Sequence, residues 1–288
     1  MRAALFIGSA LLALSATAHA DTLVVGNKVE HTASFIDLVS GEERARPATG
    51  RAPHEIAVSP DGKTAVLVSY RELGYDGNAL HVFDVATATK TAEISLGDHI
   101  GPHGLKWIPG TTRVIATTEV TKDVVIVDIA ARKVVGSVKT DQDGSHMVAL
   151  SKDARRAFIA NIGAGSFTVV DLETMTKVKD VTAGEGTEAI AVSPDGALVW
   201  VGNNDSRSVM IFDAASLEKV GEFKTEGVPI RVELSPDGKV AVVSEPDRAR
   251  VSVYDATTYT RGATVPISGA FAPVSMLFSP GGERLCVA

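Results

Sequence analysis

Apolar and polar positions alternate along this chain in short runs, and tight-turn signals break the runs at regular intervals. Segments such as Ala157-Phe158-Ile159-Ala160 and Leu198-Val199-Trp200-Val201 are rich in β-branched and aromatic residues, the signature of strands. The turns between them read Ser59-Pro60-Asp61-Gly62, Ser193-Pro194-Asp195-Gly196 and Ser235-Pro236-Asp237-Gly238. In each, proline presets one turn residue and glycine accepts positive φ. A more polar run, Lys219-Val220-Gly221-Glu222-Phe223, reads as an outer strand that is half in water.

The pattern recurs. Its first strands begin at Pro53, Pro102, Ser145, Thr187, Pro229 and Pro273, spaced 42–49 residues apart. Each repeat holds four short strands, the third ending on Asp37, Asp84, Asp128, Asp171, Asp213 or Asp255. An aspartate there bonds the backbone two residues on and starts a turn, so these six are structural. Four strands in such a period predict an all-β fold, a β-propeller of four-stranded blades.

The segment from Asp21 to Ala52 reads as the second, third and fourth strands of a blade, and the segment from Pro273 to Ala288 as a first and second strand. The expectation is a seven-bladed parent ring whose last blade is incomplete, lacking roughly thirty to forty residues at the C-terminal end by the repeat length. Six blades are the alternative. The propeller domain spans residues 21–288.

The strand Val199-Trp200-Val201-Gly202-Asn203, its preceding turn and the strand-ending aspartates resemble the YVTN-type β-propeller repeats of secreted bacterial proteins. The resemblance covers essentially the whole chain after residue 20. It implies the fold, and through lactonase-like relatives a hydrolase or lyase activity as an alternative function. The chain departs from the pattern where the strand-end Asn gives way to Ser69, to Thr118 or Glu119, and to Glu245.

Residues 1–20 read as a secretory signal, with Arg2 at the start, an apolar stretch and Ala18-His19-Ala20 as cleavage site. A periplasmic or secreted protein beginning at Asp21 is expected, with no membrane span. The net charge of −7 disfavours a polyanion, so no nucleic-acid partner is expected. The single cysteine, Cys286, forms no internal disulfide and reads as inert packing.

Three consecutive copies place a histidine at the start of the first strand: His54, His103 and His146. The start of strand one and the end of strand two are antiparallel neighbours, so their side chains are assigned to one face at the channel mouth. That groups His54 with Tyr70, His103 with Glu119, His146 with Asn161, Glu188 with Asn203, and Arg231 with Glu245. His31 and His99 map to the same face; His81 falls in an outer strand. Tyr70 opens an insert running to Asn78, a candidate lid or partner contact.

Imidazoles converging from neighbouring blades suit copper or zinc, held by His54, His103 and His146, with Glu119 or Asp98 fixing a ring tautomer. A small-molecule or protein ligand would meet Tyr70, Glu119, Asn161, Glu188, Asn203 and Arg231. The chain has no Cys-x-x-Cys-His and no phosphate-binding glycine loop, so neither haem nor a nucleotide is expected. The expected function is a periplasmic binding scaffold for a metal ion or small ligand. Besides the hydrolase or lyase, a protein-interaction platform of the cell envelope is the other alternative, and whether the chain is an enzyme is left open.

Overall fold

A computed structural model describes residues 21–268 and 273–288. The expected signal segment lies outside them. The described residues form seven antiparallel sheets in chain order: one of three strands, five of four strands and one of two. The strands run from neighbour to neighbour as up-and-down meanders. In the fifth sheet they are Thr187–Val192, Leu198–Asn203, Ser208–Asp213 and Lys219–Lys224. Among the described residues a single 3-10 turn, Pro246–Arg248, interrupts the β-structure.

The all-β propeller of four-stranded blades is therefore the observed fold. The three-stranded sheet (Thr22–Asn27, Thr32–Asp37, Glu43–Ala45) and the two-stranded sheet (Met276–Phe278, Leu285–Val287) remain separate. The described strands thus complete five blades, and the seven-bladed ring is not confirmed by them.

Innermost strands of successive sheets, Pro53–Val58, Pro102–Trp107, Ser145–Leu150, Thr187–Val192 and Arg231–Leu234, contact one another around a common axis. The core is layered between sheets, where Phe35, Phe83, Phe158, Phe167 and Trp200 are fully buried. Interdigitated rings of this kind give the ring its hydrophobic stabilisation.

Local chemistry explains the punctuation. Gly62, Gly196 and Gly238 sit at φ +71°, +82° and +71°, where a side chain would be strained. In the same turns the Ser59 and Ser235 hydroxyls donate to Asp61 and Asp237 at 2.7 and 2.6 Å. At the third-strand ends, Asp37, Asp171, Asp213 and Asp255 each accept two backbone N–H bonds, as at Asp213 from Ala215 (3.0 Å) and Ser216 (2.7 Å). Asp84 and Asp128 accept one each.

Candidate functional site

The histidines owe their position to a bulge. In the second sheet Pro53 pairs with Ser69, but the next partners are Ile56 and Leu67, so three residues of the inner strand advance against two of its neighbour. The same slip recurs between Pro102 and Leu105 and between Ser145 and Val148. An extra residue turns the side chains beside it out of the alternating pattern. His54 with Glu55, His103 and His146 all fall inside it.

The rings converge. His103 and His146 stack with centroids 3.6 Å apart, His54 lies 4.3 Å from His103, and Tyr70 packs edge-on against His54 at 5.0 Å and His103 at 4.6 Å. Close approach of the third and fourth sheets requires Gly104, since a Cβ there would stand 2.4 Å from the His146 carbonyl oxygen. His103 is 1 % exposed and its Nδ1 has no hydrogen-bond partner. The His54 side chain is 25 % exposed, which leaves it the most accessible of the three.

Carboxylates and one guanidinium surround the rings. Glu119 bonds His146 Nδ1 through one oxygen and accepts the Tyr70 hydroxyl through the other. Glu188 lies 3.5 Å from His146 Nε2 and accepts from Asn204. Arg231 donates to Glu188 at 3.0 Å and to Glu55 at 2.8 Å, and Glu55 lies 3.6 Å from His54 Nδ1. A continuous chain of polar contacts thus passes from Tyr70 to His54 by way of five intervening side chains.

The protonation states follow from these neighbours. Burial, with the nearby charges of His146, His54 and Arg231, holds His103 well below the usual imidazole range and so neutral. Burial also opposes charging of His146, but the bonds to Glu119 and Glu188 outweigh it and raise its pKa. Burial works to raise Glu55, yet Arg231 and then His54 bring it down to about 2. Glu119 and Glu188 are lowered for the same kind of reason, His146 being the main partner that overcomes burial in each.

Several expected groupings are corrected. Asn161 and Asn203 are fully buried inside their own blades, away from the imidazole cluster. Asn161 bonds Ser145, Ser166 and Thr168; Asn203 bonds Gly184 N, Thr187 and Ser208. Both act as polar pins within the sheet structure. Glu119 engages His146 rather than His103, and Arg231 reaches Glu55 and Glu188 while Glu245 bonds Arg250 within its own sheet.

The three expected histidines come together as rings, with a carboxylate beside two of them. Among the described residues the potential ligand atoms that come within 4.8 Å of one another belong to His54, Glu55 and His103, while His146 faces two carboxylates. Glu55, adjacent to His54 in the chain, is the member that reading from strand starts missed; its signal was the acidic residue directly following the histidine. His31 accepts from Ala52 N at 3.1 Å and His99 bonds Asp123 at 2.9 Å. Both are engaged apart from the cluster. The Tyr70 insert extends its two strands into a hairpin, Thr64–Glu72 and Tyr75–Asp84, turning at Leu73-Gly74.

Fold and site define a β-propeller with a histidine-lined, carboxylate-braced mouth. Residues 111–260, just over half of the chain, match the cytochrome D1 heme domain. The chain belongs to that family. Glu119, His146, Glu188 and Arg231 lie within the matched segment; His54, Tyr70 and His103 precede it. The likeness to YVTN-type repeats holds at the level of the propeller fold, and that repeat family is not shown. Among solved structures the chain is similar to Kuenenia stuttgartiensis hydrazine synthase, with 18 % identity and a TM-score of 0.82 over 93 % of this chain and 92 % of that one. At that identity the likeness shows the fold. No curated protein sequence matches the chain significantly.

Family membership overturns the expectation of copper or zinc without haem. The missing Cys-x-x-Cys-His motif bears only on covalent attachment, whereas non-covalent haem binding needs a donor side chain and leaves no fixed spacing in sequence. Among the described residues no helix is long and apolar enough to cross a membrane.

Proposed function

We propose that this chain is a haem-type tetrapyrrole-binding propeller, with His54 as the iron donor at the channel mouth. The observation that carries it is the bulge-presented imidazole cluster in a chain that belongs to a haem-domain family. An iron donor must be an unprotonated imidazole nitrogen that a flat macrocycle can approach. His146 is disfavoured because both ring nitrogens face carboxylates. His103 is neutral but walled in by His54, His146 and Tyr70. His54 is accessible and has Glu55 beside Nδ1, an arrangement that orients a ligating ring.

When bound, such a group supplies one-electron and small-ligand chemistry at its iron. The chain's own residues contribute orientation and charge. Tyr70 and His103 hold the plane of His54 from two sides, while Glu119 and Glu188 favour the charged form of His146 beside neutral His103. The N-terminal pattern, read as an export signal, is in keeping with a periplasmic site of action.

Untagged protein titrated with ferric haem is the test. A saturable, red-shifted Soret band is expected for wild type, and His54→Ala should weaken the affinity at least tenfold and change the band position. Absence of saturable binding by wild type, or identical spectra for the two proteins, defeats the reading.

A further inference from the structure

We infer that Arg231 is a positioning residue that couples the two sides of the mouth, holding His54 through Glu55 and His146 through Glu188. The coupling itself is independent of any bound group; only its effect on affinity rests on the tetrapyrrole reading.

The geometry is that of a fork across the axis. Arg231 stands at the start of the sixth sheet's inner strand and is buried. One terminal nitrogen, Nη1, donates to Glu188 Oε1 at 3.0 Å and to the Ile230 carbonyl at 2.9 Å; the other, Nη2, donates to Glu55 Oε1 at 2.8 Å. Glu55 and Glu188 belong to sheets on different sides of the ring. A planar guanidinium with several fixed donors can serve two carboxylates at once, which a lysine does less rigidly. Without it, two buried carboxylates would face one another across the channel with no shared counter-charge. Glu55 would be free to swing away from His54, and Glu188 would be held beside His146 by Asn204 alone.

Two routes could carry a disturbance from Glu55 to His146: the guanidinium and the stacked rings. They are separable. In ligand-free protein, imidazole NMR resonances are assigned from His54→Ala and His146→Ala. Glu55→Gln is expected to move the signals of both histidines. In an Arg231→Met background the Glu55→Gln effect on His146 should vanish, and in Arg231→Lys it should be intermediate. If it persists undiminished in Arg231→Met, transmission runs through the rings and the inference falls. If Arg231→Met fails to fold, the Arg231→Lys background decides: an undiminished His146 response there overturns the coupling, a diminished one supports it. Haem titration adds a second arm, with Arg231→Met binding at least tenfold more weakly than Arg231→Lys. Failure of wild type to bind haem would remove the tetrapyrrole reading and leave the NMR result to judge Arg231 alone.

Discussion

His81 shows how one side chain sets a pH limit on the fold. It lies in an outer strand of the second sheet, 2 % exposed, with neither ring nitrogen hydrogen-bonded. Burial and then the Lys90 charge lower its pKa to about 4, against the opposing pull of Glu93. The folded state therefore binds this proton less readily than the unfolded chain. Stability is whole above about 6.5 and falls as pH drops from there toward 4, by a limit on the order of 3 kcal/mol. Acid titration of thermal unfolding should show this loss, and His81→Leu should reduce it. His146 acts with the opposite sign: its raised pKa gives stability that is complete below the unfolded value and lost as pH rises through the folded one. Gly50 completes the His81 niche, because a Cβ there would stand 2.3 Å from His81 Nε2. Gly50→Ala is expected to cost about 1–3 kcal/mol by overpacking, read as a lowered midpoint in urea.

At the scale of the element, the polar pins carry more than the turns. Removing Asn203 leaves the buried Gly184 N–H without its partner, while the Thr187 hydroxyl keeps the Gly184 carbonyl, so Asn203→Ala should cost about 1–3 kcal/mol. Asp213→Ala, on an exposed turn, should cost less, about 1 kcal/mol or below. Urea unfolding of the two variants side by side checks the order. Turns, strands and repeat length were legible in the sequence because each is encoded within a few neighbouring residues. Ser193-Pro194-Asp195-Gly196 needs no distant partner to make its turn. The bulge was not legible, since nothing in Ser145-His146-Met147-Val148 announces the register slip between Ser145 and Val148. Direct pairing keeps Asn161 on the face of Ser145, so the expected grouping of His146 with Asn161 fails. The convergence of His54, His103 and His146 was nevertheless readable, because all three repeats carry the same slip and so err together. Arg231 with Glu55 was beyond reach: 176 residues separate them, and only closure around the axis makes them neighbours.

For the whole molecule, the ring is built unevenly. Among the described residues five sheets have four strands each, whereas the first has three and the last two, and the first described strand, Thr22–Asn27, has no fully buried residue. Amide exchange should therefore be slowest in the central strands of the third, fourth and fifth sheets and fastest in the first and last; uniform protection around the ring would contradict this. Where the last sheet meets the first, Arg284 Nη1 donates to the Leu38 carbonyl at 2.8 Å across 246 residues of chain. As between the other neighbouring sheets, no ladder joins these two. Every join between neighbouring sheets is made by side-chain contact rather than a shared ladder, so a torus of this kind can flex at its seams while each hydrogen-bonded ribbon stays whole.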